Sequence, residues 1–355
     1  METQPVYDLS GTNDQNGRTT PPNIFTETMA LIYWMFIISI RDFQAYFARG
    51  IFFCFVTIFI STFYLQTRDR TLEFAVKRVI QIGWFFAVPS LLTIVHVYQS
   101  CIEHVNMSHE VLRLGFYRPI SFGLARVVVE IPFIFLLSFA ALGVGGFVVG
   151  RFNVTAFIMM ILLYTKMVYS FEALAQICSM AFIDTNMNML LFVIIWFGSF
   201  LFSEIWVAER DVILAFRPFS YLSPFRLSFR AFAFLDFQDA NFSCGEGLSL
   251  IQGMNGGKCV GAYDGNSLLD AIGNIVFPTV TPNVDVVWCL GVTAFIALGL
   301  KVVYISLNSY RLSITHGTTI GWISMTCSVH CNINMQRSVQ CTIHTRTCKV
   351  HTEYT

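Results

Sequence analysis

The chain has 355 residues, of which 55% are hydrophobic and only 12% are charged, and its formal net charge is zero. A soluble domain carries about 25% charged residues, so this composition excludes an ordinary soluble globular protein. The balanced charge gives no indication of nucleic-acid binding. The composition therefore predicts an all-α polytopic membrane protein.

The N-terminal region predicts two elements of different character. Residues 1–28 are polar and rich in Thr, Asn and Pro, which predicts a disordered cytosolic segment. Residues 29–40 are apolar but too short to cross a membrane comfortably, so we expect an elbow helix along the cytosolic surface. The alternative is that this stretch merges with the following span into one bent helix.

Six later stretches are apolar and long enough to cross a membrane, because a hydrocarbon core about 30 Å thick needs roughly 20 helical residues. They cover residues 43–65, 79–99, 127–149, 156–183, 187–208 and 284–307. Pro89 lies in the second stretch and should kink it, as membrane helices tolerate. The sequence thus predicts a six-helix membrane domain over residues 29–311.

Two charged residues, Lys166 and Glu172, lie inside the fourth predicted span. A charge at the bilayer centre costs about 2.5–3.5 kcal/mol on the insertion scale, so such a residue usually faces protein or water. The spacing of the two residues puts them on different helix faces, so they should not pair with each other. Either an ion pair with another helix or a substrate or proton path would explain them.

The region between the fifth and sixth spans predicts a hairpin followed by a long loop. Residues 211–235 contain two prolines and several arginines, which favours a re-entrant hairpin over a full crossing. Asn241 begins an Asn-Phe-Ser glycosylation acceptor, and Cys244 and Cys259 could form a disulfide if the loop is outside. Six spans then leave both termini in the cytosol. Alternatively, the acceptor occurs by chance and the cysteines stay reduced.

Residues 101–118 join the second and third spans and have helix-like apolar spacing with a charged and polar opposite face. This pattern predicts a helix on the cytosolic side of the membrane. It is either a solvated surface helix or a docking helix for a cytosolic partner, and the spacing by itself favours neither.

Two groups of motifs follow one another along the chain. The first group is Glu103, His109-Glu110, Gly115-Phe116-Tyr117-Arg118, Ser121-Phe122 and Glu130-Ile131-Pro132. The second group is Tyr221-x-Ser223-Pro224-Phe225-Arg226, followed by Leu235-Asp236-Phe237. Their order and spacing resemble the membrane domain of ABC-type exporters of the G subfamily, the white and pleiotropic-drug-resistance type, over about residues 29–311.

The resemblance implies the membrane-spanning half of an ATP-driven exporter that moves lipids, sterols or amphipathic drug-like molecules. Its partners would be a nucleotide-binding domain, which binds ATP and magnesium, and a second six-helix unit. No phosphate-binding Gly-x-x-x-x-Gly-Lys-[Ser/Thr] loop occurs in the sequence, so we expect no cofactor and no enzyme activity on this chain. The chain is then either a fragment of a longer protein or the partner of a separate ATPase.

The resemblance also implies roles for individual residues. Coupling to the nucleotide-binding domain falls to Glu103, Glu110, Arg113 and Tyr117. Substrate contact falls to residues of the second and fifth spans, which are Phe85, Phe86, Leu91, Phe192, Trp196, Phe197 and Phe200. Leu91 stands where the family has a clamping aromatic residue, and simple packing is the alternative role for each of these side chains.

Residues 312–355 lack hydrophobic periodicity and are rich in Thr, Ser, His and Cys, which predicts a low-complexity, disordered tail. The cysteine spacings in this tail do not match paired zinc ligands, so we predict no metal site. Two other functions remain open. One is a membrane-embedded lipid-modifying enzyme that uses His96, His104 or His109, and the other is a non-transporting scaffold with the same fold.

Overall fold

The computed structural model describes residues 23–41, 47–69, 71–109, 117–149, 154–203, 213–238, 240–243, 262–275, 277, 280–325, 329–332 and 340–343. This part of the chain is almost entirely helical. The helices are α1 (Ile24–Arg41), α2 (Arg49–Phe63), α3 (Ala75–Leu91), α4 (Ile94–His109), α5 (Pro119–Val149), α6 (Val154–Ser179), α7 (Thr185–Leu201), α8 (Arg217–Leu222), α9 (Pro224–Phe237), α10 (Gly265–Ile275) and α11 (Val286–Met325).

Short strands form two small antiparallel pairs. Strand β1 (Asn241–Ser243) pairs with β2 (Ala262–Asp264), and β3 (Val329–Asn332) pairs with β4 (Gln340–Ile343). In the first pair Phe242 lies opposite Tyr263, and the Phe242 side chain is buried. These strands are too short to alter the all-α character of the domain.

Among the described residues, five helices are long and apolar enough to cross a membrane. They are Ile24–Arg41, Ala75–Met107 (α3 with most of α4), Pro119–Gly143, Val154–Ser179 and Val286–Arg311. The chain is therefore an integral membrane protein with an all-α polytopic fold, as its composition predicts.

Four of these helices correspond to the second, third, fourth and sixth predicted spans. The first and fifth predicted spans correspond to α2 and α7, whose helices have 15 and 17 residues. Conversely α1, which we predicted as a surface elbow, has 18 residues and the apolarity of a span. The number of crossings and the placement of the elbow remain predictions.

The second predicted span is interrupted close to Pro89. Helix α3 ends at Leu91, and α4 begins at Ile94 after a turn. Backbone hydrogen bonds of the 3₁₀ type, between residues i and i+3, span the turn. In one of them the His96 amide donates to the Thr93 carbonyl at 2.9 Å. The helix then continues to His109, so the first half of the predicted docking segment is an extension of the second span.

The region predicted as a re-entrant hairpin contains two helices, α8 and α9, which are separated by Ser223. Its re-entrant arrangement remains a prediction. Pro218 and Pro224 lie in their first turns, where the missing backbone N–H has no helical partner to lose. The two prolines therefore start helices instead of breaking one.

Helix α6 lies at the centre of the bundle. It packs against α4, α5, α7, α9 and α11, and most of its side chains are buried. Because successive helices run in opposite directions, the ends of α4 and α6 and the starts of α5 and α7 lie together. We call this side the α4 end, and the side with α9 and β1 the α9 end. Helix α11 continues to Met325, past residue 312, where we predicted that the tail begins.

Candidate functional site: a buried ionic network

Glu130 is the centre of a group of charged side chains inside the bundle. It lies on α5 and is fully buried. Its carboxylate accepts hydrogen bonds from the Lys301 ammonium of α11 and from the Gln176 amide of α6. Arg126, one turn earlier on α5, donates from Nε to Oε1 of Glu130 at 2.8 Å. Glu130 therefore joins three helices.

The local sequence explains why these groups meet. Arg126 and Glu130 are four residues apart, so they share one face of α5. That face points at α4, α6 and α11, whose polar side chains pair with it, whereas lipid would leave its charges unpaired. The charged face of α5 is thus forced into the protein interior.

His96 of α4 also belongs to this group. The Gln176 carbonyl oxygen accepts from Lys301 at 2.8 Å, which fixes the orientation of the Gln176 amide. The amide nitrogen of Gln176 lies 3.2 Å from Nε2 of His96, and Oε1 of Glu130 lies 3.6 Å from the same ring nitrogen. His96 therefore connects α4 to both α5 and α6.

The group extends toward the α4 end through Arg126. Its Nη1 atom lies 2.9 Å from a carboxylate oxygen of Glu103, a residue of α4 whose side chain is 37% exposed. Lys301 also lies over the Tyr169 ring, 4.5 Å from its centroid. A continuous series of ion pairs therefore runs from the partly exposed Glu103 to the buried Lys301.

A second buried pair lies beside the first group. Arg49 at the start of α2 pairs with Glu172 of α6, and both side chains are buried. Ligand atoms of Glu172, Glu130 and His96 all lie within 4.8 Å of one another. We call the side chains of Arg49, His96, Glu103, Arg126, Glu130, Glu172, Gln176 and Lys301 the ionic network.

The ionic network is balanced in charge without a metal ion. Arg49, Arg126 and Lys301 match the carboxylates of Glu172, Glu103 and Glu130. A divalent cation at His96, Glu130 and Glu172 would have to displace Lys301 and Arg49, or leave two excess positive charges in a low-dielectric interior. The residues present therefore do not fit a metal centre.

Several polar atoms of this region have no hydrogen-bond partner among the described residues. They include Nδ1 of His96, Nε of Arg49, Oε2 of Glu172 and the hydroxyl of the neighbouring Tyr164. An unmade buried hydrogen bond costs about 1–3 kcal/mol. These atoms give the ionic network unused hydrogen-bonding capacity, so it has alternative pairings available to it.

The predicted coupling residues fall in different places. Glu103 belongs to the ionic network, whereas Tyr117 stacks on Phe122 with the ring centroids 5.7 Å apart. Glu110 and Arg113 lie outside the described residues. Within the predicted docking segment, the structure thus describes residues 101–109 and 117–118.

Most of the predicted substrate residues pack inside a single copy of the chain. Phe86 and Phe192 are completely buried, and Trp196 donates from Nε1 to the Ser90 hydroxyl at 2.9 Å. Phe85 is buried, and Leu91 and Phe200 pack against the same core. Of the seven residues, Phe197 is the one with a largely exposed side chain, at 52%. Their contact with a substrate remains a prediction.

The other predicted site residues are dispersed. Glu172 pairs with α2, whereas Lys166 is partly exposed and forms no ion pair within the described part of the chain. Asn241 is exposed on β1, and Cys244 and Cys259 lie outside the described residues. His96 and His104 are not brought together: His96 contacts Gln176, and the His104 ring faces Tyr304 at 5.8 Å.

Sequence reasoning missed two cations that hold the ionic network together. Arg49 and Lys301 each lie inside an apolar stretch, where a lone charge indicates a buried partner. That signal, which we applied to Lys166 and Glu172, would have found both. Their partners could not have been predicted, because the sequence does not show which helices are neighbours.

Another buried ion pair, outside the ionic network, lies at the α9 end. Arg78 of α3 donates from Nη2 to Asp236 of α9 at 2.7 Å, and its Nε also donates to this carboxylate. The third guanidinium nitrogen, Nη1, donates to the Thr67 carbonyl at 3.0 Å. Both charged side chains are buried. Asp236 belongs to the Leu-Asp-Phe motif that follows the hairpin.

Comparison of the chain with models of known protein families gave no match, and comparison with curated proteins gave none either.

Proposed function

We propose that this chain is the membrane-spanning half of an ATP-driven exporter of the ABC G type. It would move lipids, sterols or amphipathic drug-like molecules, with ATP hydrolysed by a nucleotide-binding domain outside the sequence given. The observation that carries the proposal is the position of Glu130. The glutamate of the Glu-Ile-Pro motif is also the residue that joins α5, α6 and α11 in the ionic network.

In this proposal α4 transmits the movement of the motor. The helix runs without a break from His96, inside the ionic network, to His109. Thirteen residues of helix correspond to about 20 Å at a rise of about 1.5 Å per residue. A nucleotide-binding domain that binds the segment after His109 would therefore move a continuous helix whose other end is buried in the bundle.

The ionic network would pass this movement to the rest of the bundle. Glu103 holds α4 to Arg126 of α5, and Glu130 then holds α5 to Lys301 of α11. Glu130 and Lys301 are both buried, and separating them would leave uncompensated charges in the interior, so α5 and α11 resist separation. The unpaired atoms of His96 and Glu172 provide partners for a second arrangement of similar energy.

The substrate path would lie between two six-helix units, each supplied by one copy or by a related chain. Phe197 of α7 and Trp84 of α3 have exposed aromatic surface that a second unit and a substrate could cover. Flat aromatic surfaces suit planar or sterol-like molecules. The fully buried Phe86 and Phe192 would support these residues from behind.

ATP hydrolysis by the purified complex tests the proposal. The tagged chain would be purified from its native membranes, and hydrolysis measured with and without a fluorescent sterol. We expect a copurifying ATPase that the sterol stimulates. Glu103→Gln and Glu110→Gln should reduce the stimulation about tenfold, since each removes a charge from the docking segment.

The matched control is Asp184→Asn, which removes one exposed negative charge at the same end and retains the cap of α7. It should leave the stimulation unchanged. A chain that copurifies no ATPase, or glutamate variants that behave like the control, would contradict the proposed function.

A further inference from the structure

A cavity of about 420 Å³ lies at the α4 end, between α4, the turn that joins α6 to α7, and α11. Helix α6 ends at Ser179 and α7 begins at Thr185, so the turn emerges at the boundary of the apolar bundle. Arg311 of α11 lines the cavity and is exposed. The cavity is therefore at the depth where membrane lipids have their polar groups, and it is separate from the ionic network.

The polar wall of the cavity carries positive charge and hydrogen-bonding groups. Arg311 supplies a guanidinium group, one nitrogen of which donates to the Met180 carbonyl at 3.1 Å. Asn106 is exposed beside it, and Nε2 of His104 is buried with no partner among the described residues. Among the described residues, those that line the cavity include no Asp or Glu; the carboxylates of Glu103 and Asp184 adjoin lining residues in the chain. This wall suits an anion.

The frame of the cavity is fixed by other polar contacts. The buried Asn188 side chain donates to the carbonyls of Ser179 at 3.0 Å and Phe182 at 3.1 Å, and it accepts from the Phe182 amide. Asn308 contacts the buried sulfur of Met107. The contacts of Asn188 hold the α6–α7 turn, and the contact of Asn308 connects α11 to α4 beside the cavity.

The rim of the cavity is apolar and exposed. Ile102 and Val105 of α4 have exposed fractions of 45% and 68%, and Ile183 in the α6–α7 turn is 99% exposed. Water is a poor surrounding for these side chains, whereas lipid acyl chains would cover them. The cavity thus combines a cationic, hydrogen-bonding wall with an apolar rim that faces the membrane.

We infer that this cavity binds the anionic headgroup of a membrane phospholipid. The phosphate pairs with Arg311 and accepts hydrogen bonds from His104 and Asn106, and the acyl chains lie along Ile102 and Val105. The volume lies within the range of about 300–1,000 Å³ that is typical of ligand pockets. A molecule held there bridges α4 and α11 and stabilises the arrangement that forms the cavity. The inference does not depend on the proposed export activity.

Thermal unfolding of the delipidated full chain tests the inference. Phosphatidylserine, phosphatidylcholine or inorganic phosphate would be titrated into protein in an uncharged detergent. We expect phosphatidylserine to raise the midpoint temperature at lower concentration than phosphatidylcholine, and inorganic phosphate to have no effect. Arg311→Gln should raise the half-maximal phosphatidylserine concentration about tenfold, as loss of a charged hydrogen bond implies.

A second variant and a control make the test specific. Asn106→Asp places a negative charge at an exposed position, so it should weaken the lipid response without affecting folding. Arg118→Gln removes an exposed cation at the start of α5, away from the cavity, and should leave the response unchanged. An equal response in Arg311→Gln and the unmodified chain, or a shift produced by inorganic phosphate alone, would overturn the inference.

Discussion

The two buried ionic groups of this protein are built differently. At the α9 end, Arg78 and Asp236 form one pair in which every guanidinium nitrogen has a partner. Toward the α4 end, Glu130 of the ionic network contacts side chains of α5, α6 and α11, and buried atoms of His96, Arg49 and Glu172 have no hydrogen-bond partner among the described residues. We call Arg78 and Asp236 the clamp, and we expect it to fix the α9 end of the bundle. The movement in the proposed transport cycle is then expected at the ionic network.

The clamp should show the largest effect on stability. Asp236→Asn removes the only charged partner that Arg78 has within the described residues, and it leaves a buried cation uncompensated. Breaking such a pair costs about 3–5 kcal/mol. We expect a loss of this size in the free energy of unfolding measured in mixed micelles. Asp264→Asn, at an exposed position of the same end, is the control and should change little. Equal effects of the two variants would show that the clamp does not stabilise the fold.

A substitution in the ionic network should lower the free energy of unfolding by less, because Glu130 is not the only partner of Arg126 and Lys301. In Glu130→Gln, Arg126 keeps Glu103 and Lys301 keeps Gln176. We expect a loss of about 1.5–3 kcal/mol, the value of hydrogen bonds to a charged group. Adding Lys301→Met removes the unmatched cation and should recover part of this loss, with a coupling energy of about 1–3 kcal/mol in a double-mutant cycle. Additive losses would mean that the two residues do not interact.

The comparison also shows what the sequence could predict. Runs of about 20 apolar residues predicted four of the five described helices that are long and apolar enough to cross a membrane, because lipid thickness fixes that length. The spacing of Lys166 and Glu172 predicted that the two side chains do not pair with each other. Glu172 pairs with Arg49, and Lys166 pairs with neither of these residues. The identity of the Glu172 partner could not be predicted in this way. Arg49 lies 123 residues from Glu172 in sequence, and the pairing depends on how α2 packs against α6, which no local pattern encodes.

The docking segment was predicted as one helical loop, and its first part is the end of α4.

The second predicted span is broken into α3 and α4. Pro89 predicted a kink in this span, but the turn lies at Leu92 and Thr93, where Thr93 donates its hydroxyl to the Ser90 carbonyl at 2.7 Å. The Thr93 amide donates to the same carbonyl at 3.3 Å, so this side-chain bond adds to the backbone bond that closes the turn. The sequence indicated that the helix would break, and tertiary packing decided where.

Glu103 is the most exposed of the acidic residues in the ionic network, and its substitution should affect stability less than Glu130→Gln. Glu103 is 37% exposed, so Glu103→Gln should cost no more than about 1 kcal/mol in the same unfolding measurement. Its effect on coupled ATP hydrolysis should be large, since it connects α4 to Arg126. A stability loss as large as that of Asp236→Asn would place Glu103 with the structural clamp instead.

The smallest effect is expected at Lys166. Its side chain is partly exposed and has no ion pair among the described residues, so Lys166→Met should change the free energy of unfolding by less than about 0.5 kcal/mol. Transport measured with the same variant then separates the two roles proposed for this lysine. Lost transport with intact folding supports a substrate or proton path, and a large loss of stability contradicts the expectation.

Accessibility labelling tests the central claim most directly. The claim requires the α4 end to face the cytosol, because a nucleotide-binding motor can grip it only there. Single cysteines at positions 109 and 241, in a chain whose native cysteines are replaced by serine, would be exposed to a membrane-impermeant maleimide on intact cells. The account predicts labelling at 241, and labelling at 109 only after the cells are permeabilised. Labelling of position 109 on intact cells would contradict it.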